Sequence, residues 1–248
     1  MNLGFDAKRA FHNQTGLGHY SRTLIRSLAT HFPEHAYYLF NPKPATRFSF
    51  TELPHVKEVM PSRLLNQLFS SMWRSNWVKS DLKKYHIDLY HGLSHEIPVG
   101  IHKTGIKSVV TIHDLIHERY PHQYGAIDAR IYTQKFRYAC AHADAVIAIS
   151  EQTKNDIIAF YKTDPSKIHV CYQSCNEAFA KVVHNEEKER VRKQYNLPVD
   201  YFLYVGSIIE RKNLLGICKA IETIKHELPL PLVVIGSGNE YKKIVEEY

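Results

Sequence analysis

Two glycines one residue apart, Gly16 and Gly18 in the stretch TGLGHYS, open a segment of helical period soon after the β-like start at residues 2–5. A glycine-rich turn at a helix N-terminus presents backbone N–H groups and the positive end of the helix dipole, which suits a phosphate. The same glycines could serve turn geometry alone. His113 and Asp114, in TIHDLIH, follow a strongly apolar run and so fall just past the carboxyl end of a strand. Ligands of open α/β sheets bind at that edge. A histidine there can donate to a sugar hydroxyl or a phosphate, and its charge is adjustable near neutral pH. A His–Asp pair that only caps the next segment is the plainer reading. Ser150 follows the run 144–149 and is placed to cap the next helix, with or without a ligand role.

A second set lies nearer the C-terminus. The run 201–206 ends in Gly206, a short loop containing Ser207 follows, and the adjacent cations Arg211 and Lys212 precede a helical stretch. Cations at a helix N-terminus oppose the macrodipole and cost stability there, unless an anion sits between them and the helix end. Arginine can fork to phosphate oxygens and lysine adds a point charge. The run 231–236 ends likewise in Gly236, with Gly238 two residues on. Within the span of the first set, residues 62–85 place Leu65, Leu68, Phe69, Met72 and Trp73 on one predicted helical face, with Trp77 a turn later. Arg63, Arg74, Lys79, Lys83 and Lys84 outnumber the single Asp81. Such a helix can pack on a sheet, or lie on an anionic membrane surface.

These residues need elements to hold them. Apolar runs at 87–92, 106–112, 144–150, 168–172, 201–206 and 231–236 are mostly continuous rather than alternating, the pattern of strands buried on both faces of a parallel sheet. Helical periodicity falls between them, at 17–31, 127–142 and 151–161. Strand–helix alternation predicts a doubly wound α/β fold. A polar, charged break at 181–200 separates residues 1–180 from a second α/β unit, 181–248, with two clear strands. That is short for a Rossmann-type half, so the second unit is expected to be incomplete.

Composition narrows the class. The 248 residues include 44% hydrophobic and 23% charged, ordinary for a globular protein and against wholesale disorder. No apolar run approaches the ~20 residues of a membrane helix. The start MNLGFDAKRA has no signal-peptide core, and the four cysteines form no C-x-x-C, which together predict reduced thiols in the cytoplasm. The net charge of +7 suits nucleic acid, anionic lipid or a phosphorylated small molecule, and does not choose among them.

In order and spacing along nearly the whole chain, these motifs resemble the retaining glycosyltransferases of family 4 with the GT-B fold. The shared features are Gly16/Gly18, His113-Asp114, Ser150-Glu151, and Gly206 followed by Arg211-Lys212-Asn213. The nearest resemblance is to bacterial mannosyltransferase-like members that build surface polysaccharides. The resemblance implies two facing Rossmann-like domains, the first on the acceptor side and the second binding a nucleotide diphosphate sugar, with the donor between them. It implies transfer of a hexose to a glycan or lipid-linked acceptor with retention at the anomeric carbon. It requires no metal and no cofactor beyond the donor substrate. His113, Arg211 and Lys212 would be catalytic, the cations neutralising the departing diphosphate. Gly16, Gly18, Ser150, Gly206, Ser207, Gly236 and Gly238 would line the donor site.

Two departures stand out. Ser207 occupies a position where many relatives carry arginine, and the family's pair of glutamates spaced eight apart has no counterpart. These 248 residues alone are therefore expected to be inactive. The implied setting is cytoplasmic, with peripheral contact at the inner membrane face and no nucleic-acid partner. The competing readings are a non-catalytic nucleotide- or glycan-binding fragment and, on charge alone, a nucleic-acid binder, which steep salt dependence would reveal.

Overall fold

The computed structural model describes residues 1–238 and 240–248, Glu177 by its backbone alone; Asn239, within the glycine-ended segment 231–240, lies outside the described residues. The chain divides into two compact units, Met1–Asn176 and Glu177–Tyr248. Composition placed the break a few residues later, at 180/181.

The first unit opens with β1 (Asn2–Asp6), α1 (Lys8–His12), α2 (Gly16–His31), β2 (Ala36–Phe40) and β3 (Val56–Val59). A broken helical segment follows: α3 (Leu64–Leu68), α4 (Ser70–Met72), a π-helical turn at Trp73–Trp77, and α5 (Val78–Lys84). Then come β4 (Leu89–Gly92), β5 (Lys107–Ile112), α6 (Ile116–Arg119), α7 (Ala126–His142), β6 (Ala145–Ala148), α8 (Glu151–Tyr161) and β7 (Ile168–Val170). The strands form one seven-stranded sheet in the order β3-β2-β1-β4-β5-β6-β7, and every pairing is parallel. The order turns around between β1 and β4. A crevice opens at such a switch point, outside the carboxyl ends of the strands.

Both faces of the sheet are covered, which is why its strands are apolar on consecutive positions. In β2, Tyr37 and Leu39 join Phe5, Phe11 and Ile25 on one side, while Phe40 packs on the other with Trp73, Leu82, Tyr90 and Val110. The strict side-to-side alternation of a strand produces this split. Helix α2 supplies one cover through Gly18, Ser21, Arg22, Ile25 and Ala29, an inward stripe at three- and four-residue spacing. Helix α7 turns in Phe136, Ala139 and Cys140. The strands β2 and β3 were absent from the sequence reading, because they are short and their flanks are polar.

The continuous helix expected over 62–85 is broken in two places. Phe69 leaves helical geometry at φ −107°, ψ 50°, and the wide turn at Trp73–Trp77 rotates the chain again. Trp73 is sealed in the core at 0% exposure, and its indole N–H donates to Asp81 at 2.7 Å. Leu65, Leu68, Phe69 and Met72, read as sharing its face, stay at the surface. The neighbour of Trp73 explains the pinning. Arg74 forks onto the Asp6 carboxylate, with Nε at 2.8 Å, and its Nη1 reaches Glu96 at 3.0 Å. Burial works against the Arg74 charge, but the two carboxylates outweigh it and raise its pKa.

The second unit holds α9 (Asn185–Gln194), β8 (Phe202–Val205), α10 (Leu214–Ile224), β9 (Leu232–Ile235) and α11 (Glu240–Glu246). Strands β8 and β9 pair in parallel, Phe202 opposite Leu232 through Val205 opposite Ile235. Leu203, Val205 and Ile235 are exposed, so part of this small sheet is bare.

Removing one member of a buried ion pair leaves the other charged and unpartnered, which costs ~3–5 kcal/mol. Arg74 keeps Glu96 when Asp6 is lost, so Asp6→Ala is expected to lower unfolding stability by roughly 1.5–3 kcal/mol, the worth of a hydrogen bond to a charged group. Denaturant titration measures it, and a loss below ~1 kcal/mol would place the anchoring elsewhere.

Candidate active site at the strand carboxyl edge

The carboxyl ends of β1, β4 and β5 converge beside the N-terminus of α2. Three of the sequence-derived positions gather there. The loop before α2 is built on Asn13, whose Oδ1 accepts from the Thr15 N–H at 2.9 Å, the Thr15 hydroxyl at 2.8 Å and the Gly18 N–H at 3.0 Å. Arg22 ties the loop down by donating to the Asn13 and Ala10 carbonyls at 2.8 and 2.9 Å. A Cβ on Gly18 would lie 1.9 Å from the Asn13 oxygen, whereas one on Gly16 would meet nothing within 4 Å. The two glycines therefore differ. Gly18 is demanded by packing and its N–H is spent inside the loop; Gly16 is exposed, and the fold does not require it to be glycine.

His113 is the first residue after β5 and is buried. Its Nε2–H donates to the Leu93 carbonyl at 3.0 Å, and its Nδ1 accepts from the Gln173 amide at 3.1 Å. Its ring meets the edge of Tyr20, one turn into α2 from Gly16, with centroids 4.7 Å apart. Burial pushes its pKa down, with the Leu93 carbonyl and Asp114 opposing. The balance favours the neutral form of this imidazole. Asp114 is exposed and receives the Ile116 N–H at 3.2 Å, which makes it a turn cap.

Around His113 stands a group that sequence reasoning missed. His91 shares a 2.8 Å hydrogen bond with Thr111, whose hydroxyl also meets Tyr20 at 3.0 Å. His95 adopts a left-handed backbone at φ 65°, and its ring stacks on Phe136 at 4.2 Å. His117 meets Tyr161 at 3.2 Å. Burial is the leading cause of depressed basicity in all three, and it takes His91 down to about 4, with His113 adding to the effect. Lys8, the first residue of α1, loses basicity through burial and then the nearby Arg74 and Arg9. The signal for this group was present: HGLSHE after β4 repeats the strand-then-histidine pattern of TIHD after β5. Among the described residues, no group of three His, Cys, Asp or Glu is placed to hold a metal ion.

Ser150 caps α8, its Oγ accepting from the Thr153 N–H at 3.1 Å, and Thr153 in turn donates to the His113 carbonyl at 3.2 Å. The cap therefore also braces the His113 backbone.

The remaining positions belong to the second unit. Gly206 ends β8, and its N–H donates to Ile235 at 3.0 Å. The Ser207 carbonyl receives the Tyr204 hydroxyl at 2.9 Å. Arg211 and Lys212 form a single 3-10 turn with Glu210, ahead of α10 rather than inside its first turn. Both are exposed, and neither has an ion-pair partner among the described residues. Asn213, at φ 51°, swings the chain into the helix. A Cβ on Gly236 would fall 1.9 Å from the Gly206 oxygen, and one on Gly238 2.3 Å from the Ile208 oxygen. These two glycines let the backbones leaving β8 and β9 pass side by side, bridged at Ile208 and Gly238.

A doubly wound parallel sheet with its polar groups at the switch-point edge, followed by a second small α/β unit, is an α/β arrangement whose superposition on solved glycosyltransferases makes it of GT-B type. Residues 15–178 match Glycosyltransferase Family 4, and the chain belongs to that family. O-antigen chain mannosyltransferase B of Escherichia coli is 22% identical over 255 aligned residues, covering 96% of this chain and 64% of that protein. Among solved structures, Anabaena HepE with UDP and glucose superposes with a TM-score of 0.65 at 14% identity, covering 99% of this chain and 64% of its own. A glycosyltransferase from Rickettsia africae gives 0.62 at 14% identity, with the same 99% and 64% coverage. The chain thus spans a little under two thirds of the length of these relatives.

Two tests follow from the geometry. Gly18→Ala should cost ~1–3 kcal/mol of stability through overpacking, and Gly16→Ala should stay within about 0.5 kcal/mol of the parent. Equal losses at the two positions, in denaturant titration, would contradict the assignment. The buried histidines have folded pKa values below their unfolded value of ~6.5, so acid drives protons onto the unfolded chain preferentially. Stability should be flat above that pH and fall below it, down towards the folded value of about 4 for His91. Each histidine kept neutral contributes up to ~1.4 kcal/mol per pH unit in that window. Unfolding midpoints that do not change between pH 7.5 and pH 5 would refute this.

Proposed function

We propose that this chain is the acceptor-side unit and the start of the donor unit of a retaining glycosyltransferase. It moves a hexose from a nucleotide diphosphate sugar to a glycan or lipid-linked acceptor. The observation that carries the donor assignment is the pair Arg211 and Lys212: two exposed cations without ion-pair partners among the described residues, set between a strand end and a helix. Like charges placed so close repel, and a diphosphate between them would reverse that cost. As the glycosidic bond breaks, negative charge grows on the departing diphosphate, and cations already in place stabilise it without reorganising. Gly16 lets the backbone at the head of α2 approach a ligand closely. Neutral His113 can turn Nδ1 towards a sugar hydroxyl if Gln173 withdraws.

The sugar reading follows the relatives. The E. coli relative is a mannosyltransferase, and HepE was solved with UDP and glucose, so a hexose donor is the common element and mannose the narrower proposal. The cytoplasmic setting goes with the four free cysteines, two of them exposed. The alternative, a nucleotide- or glycan-binding fragment without turnover, keeps the same donor contacts. For these 248 residues we expect no transfer, since they span 64% of the length of the relatives.

Titration calorimetry with UDP and GDP, followed by a transfer assay with radiolabelled sugars, tests this. Lys212→Ala should weaken nucleotide binding by roughly tenfold or more, the worth of a charge-assisted phosphate contact, with the fold unchanged. Unaltered affinity in Lys212→Ala would remove the donor-site assignment. Sustained transfer by the parent chain would establish the enzyme and overturn its expected inactivity.

A further inference from the structure

Residues 41–55 join the parallel strands β2 and β3 with neither helix nor strand, although such crossovers are usually helical. Irregular loops as long as ~12–15 residues are uncommon in a compact domain and mostly serve a function. This loop leaves the carboxyl end of β2 and fastens onto two arginines of α2. Arg26 donates from Nε to the Glu52 carboxylate at 2.9 Å and from Nη2 to the Ser49 carbonyl at 3.0 Å. Phe48 lies over Arg22, with the ring centroid 3.7 Å from the guanidinium carbon, and Arg47 lies over the same ring at 5.8 Å.

Arg22 is poorly matched to this setting. It is 5% exposed, and among the described residues its hydrogen bonds come from Nη1 alone, to the Ala10 and Asn13 carbonyls. Its Nη2 is buried without a hydrogen-bond partner. No carboxylate pairs with Arg22 among the described residues; Glu52, the one carboxylate in this group, is taken by Arg26. Buried charges are ordinarily paired, and an unmet N–H on a charged group is costly. A ring stacked on a guanidinium uses its flat face and leaves the N–H groups in its plane unmet. The neighbours deepen the imbalance. Burial lowers the basicity of Arg22, and the nearby Arg26 and Arg47 lower it further.

We propose that Arg22 and Arg26 form a binding site for the phosphate of a phosphorylated small molecule, with Phe48 and Glu52 as its displaceable cover. Arginines four apart share one helix face. That face already holds an oxyanion, the Glu52 carboxylate on Arg26. A phosphate carries more charge and more acceptor oxygens than a carboxylate, so it can take Arg26 from Glu52 and, with Phe48 lifted, satisfy Nη2 of Arg22. The cover is lightly held, because both partners of the Arg26–Glu52 pair are about half exposed and such pairs contribute little. The placement matters to the rest of the first unit. Arg22 also holds the Asn13 carbonyl, and Asn13 builds the loop that carries Gly16 and Gly18, so a bound phosphate reaches that loop through one side chain. The inference is independent of the transfer reading: it concerns the first unit alone and stands even if Arg211 and Lys212 bind nothing.

The test is titration calorimetry of the whole chain with inorganic phosphate at fixed ionic strength. The parent for this series carries Arg211→Ala/Lys212→Ala, which removes the paired cations of the second unit. Saturable binding is expected. Glu52→Gln takes away the competing carboxylate and Phe48→Ala the cover, and each should tighten binding roughly tenfold. Arg26→Gln alters a half-exposed side chain and should weaken binding by roughly tenfold or more, with an unchanged melting temperature. Arg22 itself is left intact because it braces the Asn13 loop. A second readout needs no further variant: amide exchange over residues 47–52 should quicken on adding phosphate, as the cover is displaced. The proposal fails if this parent binds no phosphate, if Arg26→Gln binds like the parent, or if neither Glu52→Gln nor Phe48→Ala tightens binding. It fails too if phosphate binds and exchange over 47–52 is unchanged or slowed, for then the cover stays in place.

Discussion

The fork of Arg74 onto Asp6 and Glu96 holds together parts of the chain far apart in sequence. Asp6 ends β1, Glu96 lies in the loop after β4, and Arg74 sits in the π-helical turn, the second of the two breaks in the 64–84 segment. The β1–β4 boundary is where the strand order reverses, so the connections on either side diverge and nothing in the sheet itself closes the gap. An arginine bonded to both carboxylates spans it. Its charge is costly to bury, and it persists because the geometry gives two carboxylates to one guanidinium, with Lys135 adding a 3.1 Å contact to Glu96. The same anchorage fixes where Trp73 enters the core, and hence which side chains of the segment are left facing outward.

Around that anchor, the histidines are governed by burial rather than by charge. His91 in β4, His95 and His113 in the segments after β4 and β5, and His117 in α6 are all buried, and desolvation disfavours their protonation. Neutral imidazoles can still donate and accept, and each of the four has a hydrogen-bond or stacking partner that sets its orientation. The site is therefore built to position polar groups without net charge at the first unit's edge. Arg211 and Lys212, exposed and without ion-pair partners among the described residues, belong to the other unit.

Much of this was legible in the sequence. The strands β5, β6, β8 and β9 announced themselves as continuous apolar runs, and α2 and α8 as periodic segments, because both faces of a parallel sheet must be covered. His113 and Ser150 were found because each directly follows such a run. What escaped was tertiary in origin. Strands β2 and β3 are short, and β3 carries Lys57 and Glu58 between its valines, so no periodicity marks it. The Asp6–Arg74 pair joins residues 68 apart, and no local pattern encodes it. Gly18, Gly236 and Gly238 were read as turn glycines or as ligand-binding ones; close backbone passage requires glycine at all three, and only the three-dimensional neighbours reveal it. The family resemblance supplied what spacing alone left open, the link between scattered motifs and one chemistry.

The central claim is that a nucleotide diphosphate settles on the turn between β8 and α10. Amide hydrogen exchange of the whole chain, with and without UDP or GDP, addresses it directly. The account predicts slowed exchange confined in the second unit to Ser207–Asn213, with the distant helix α9 unchanged. Protection that spares this turn, or a nucleotide that binds with its protection elsewhere in the chain, would contradict it.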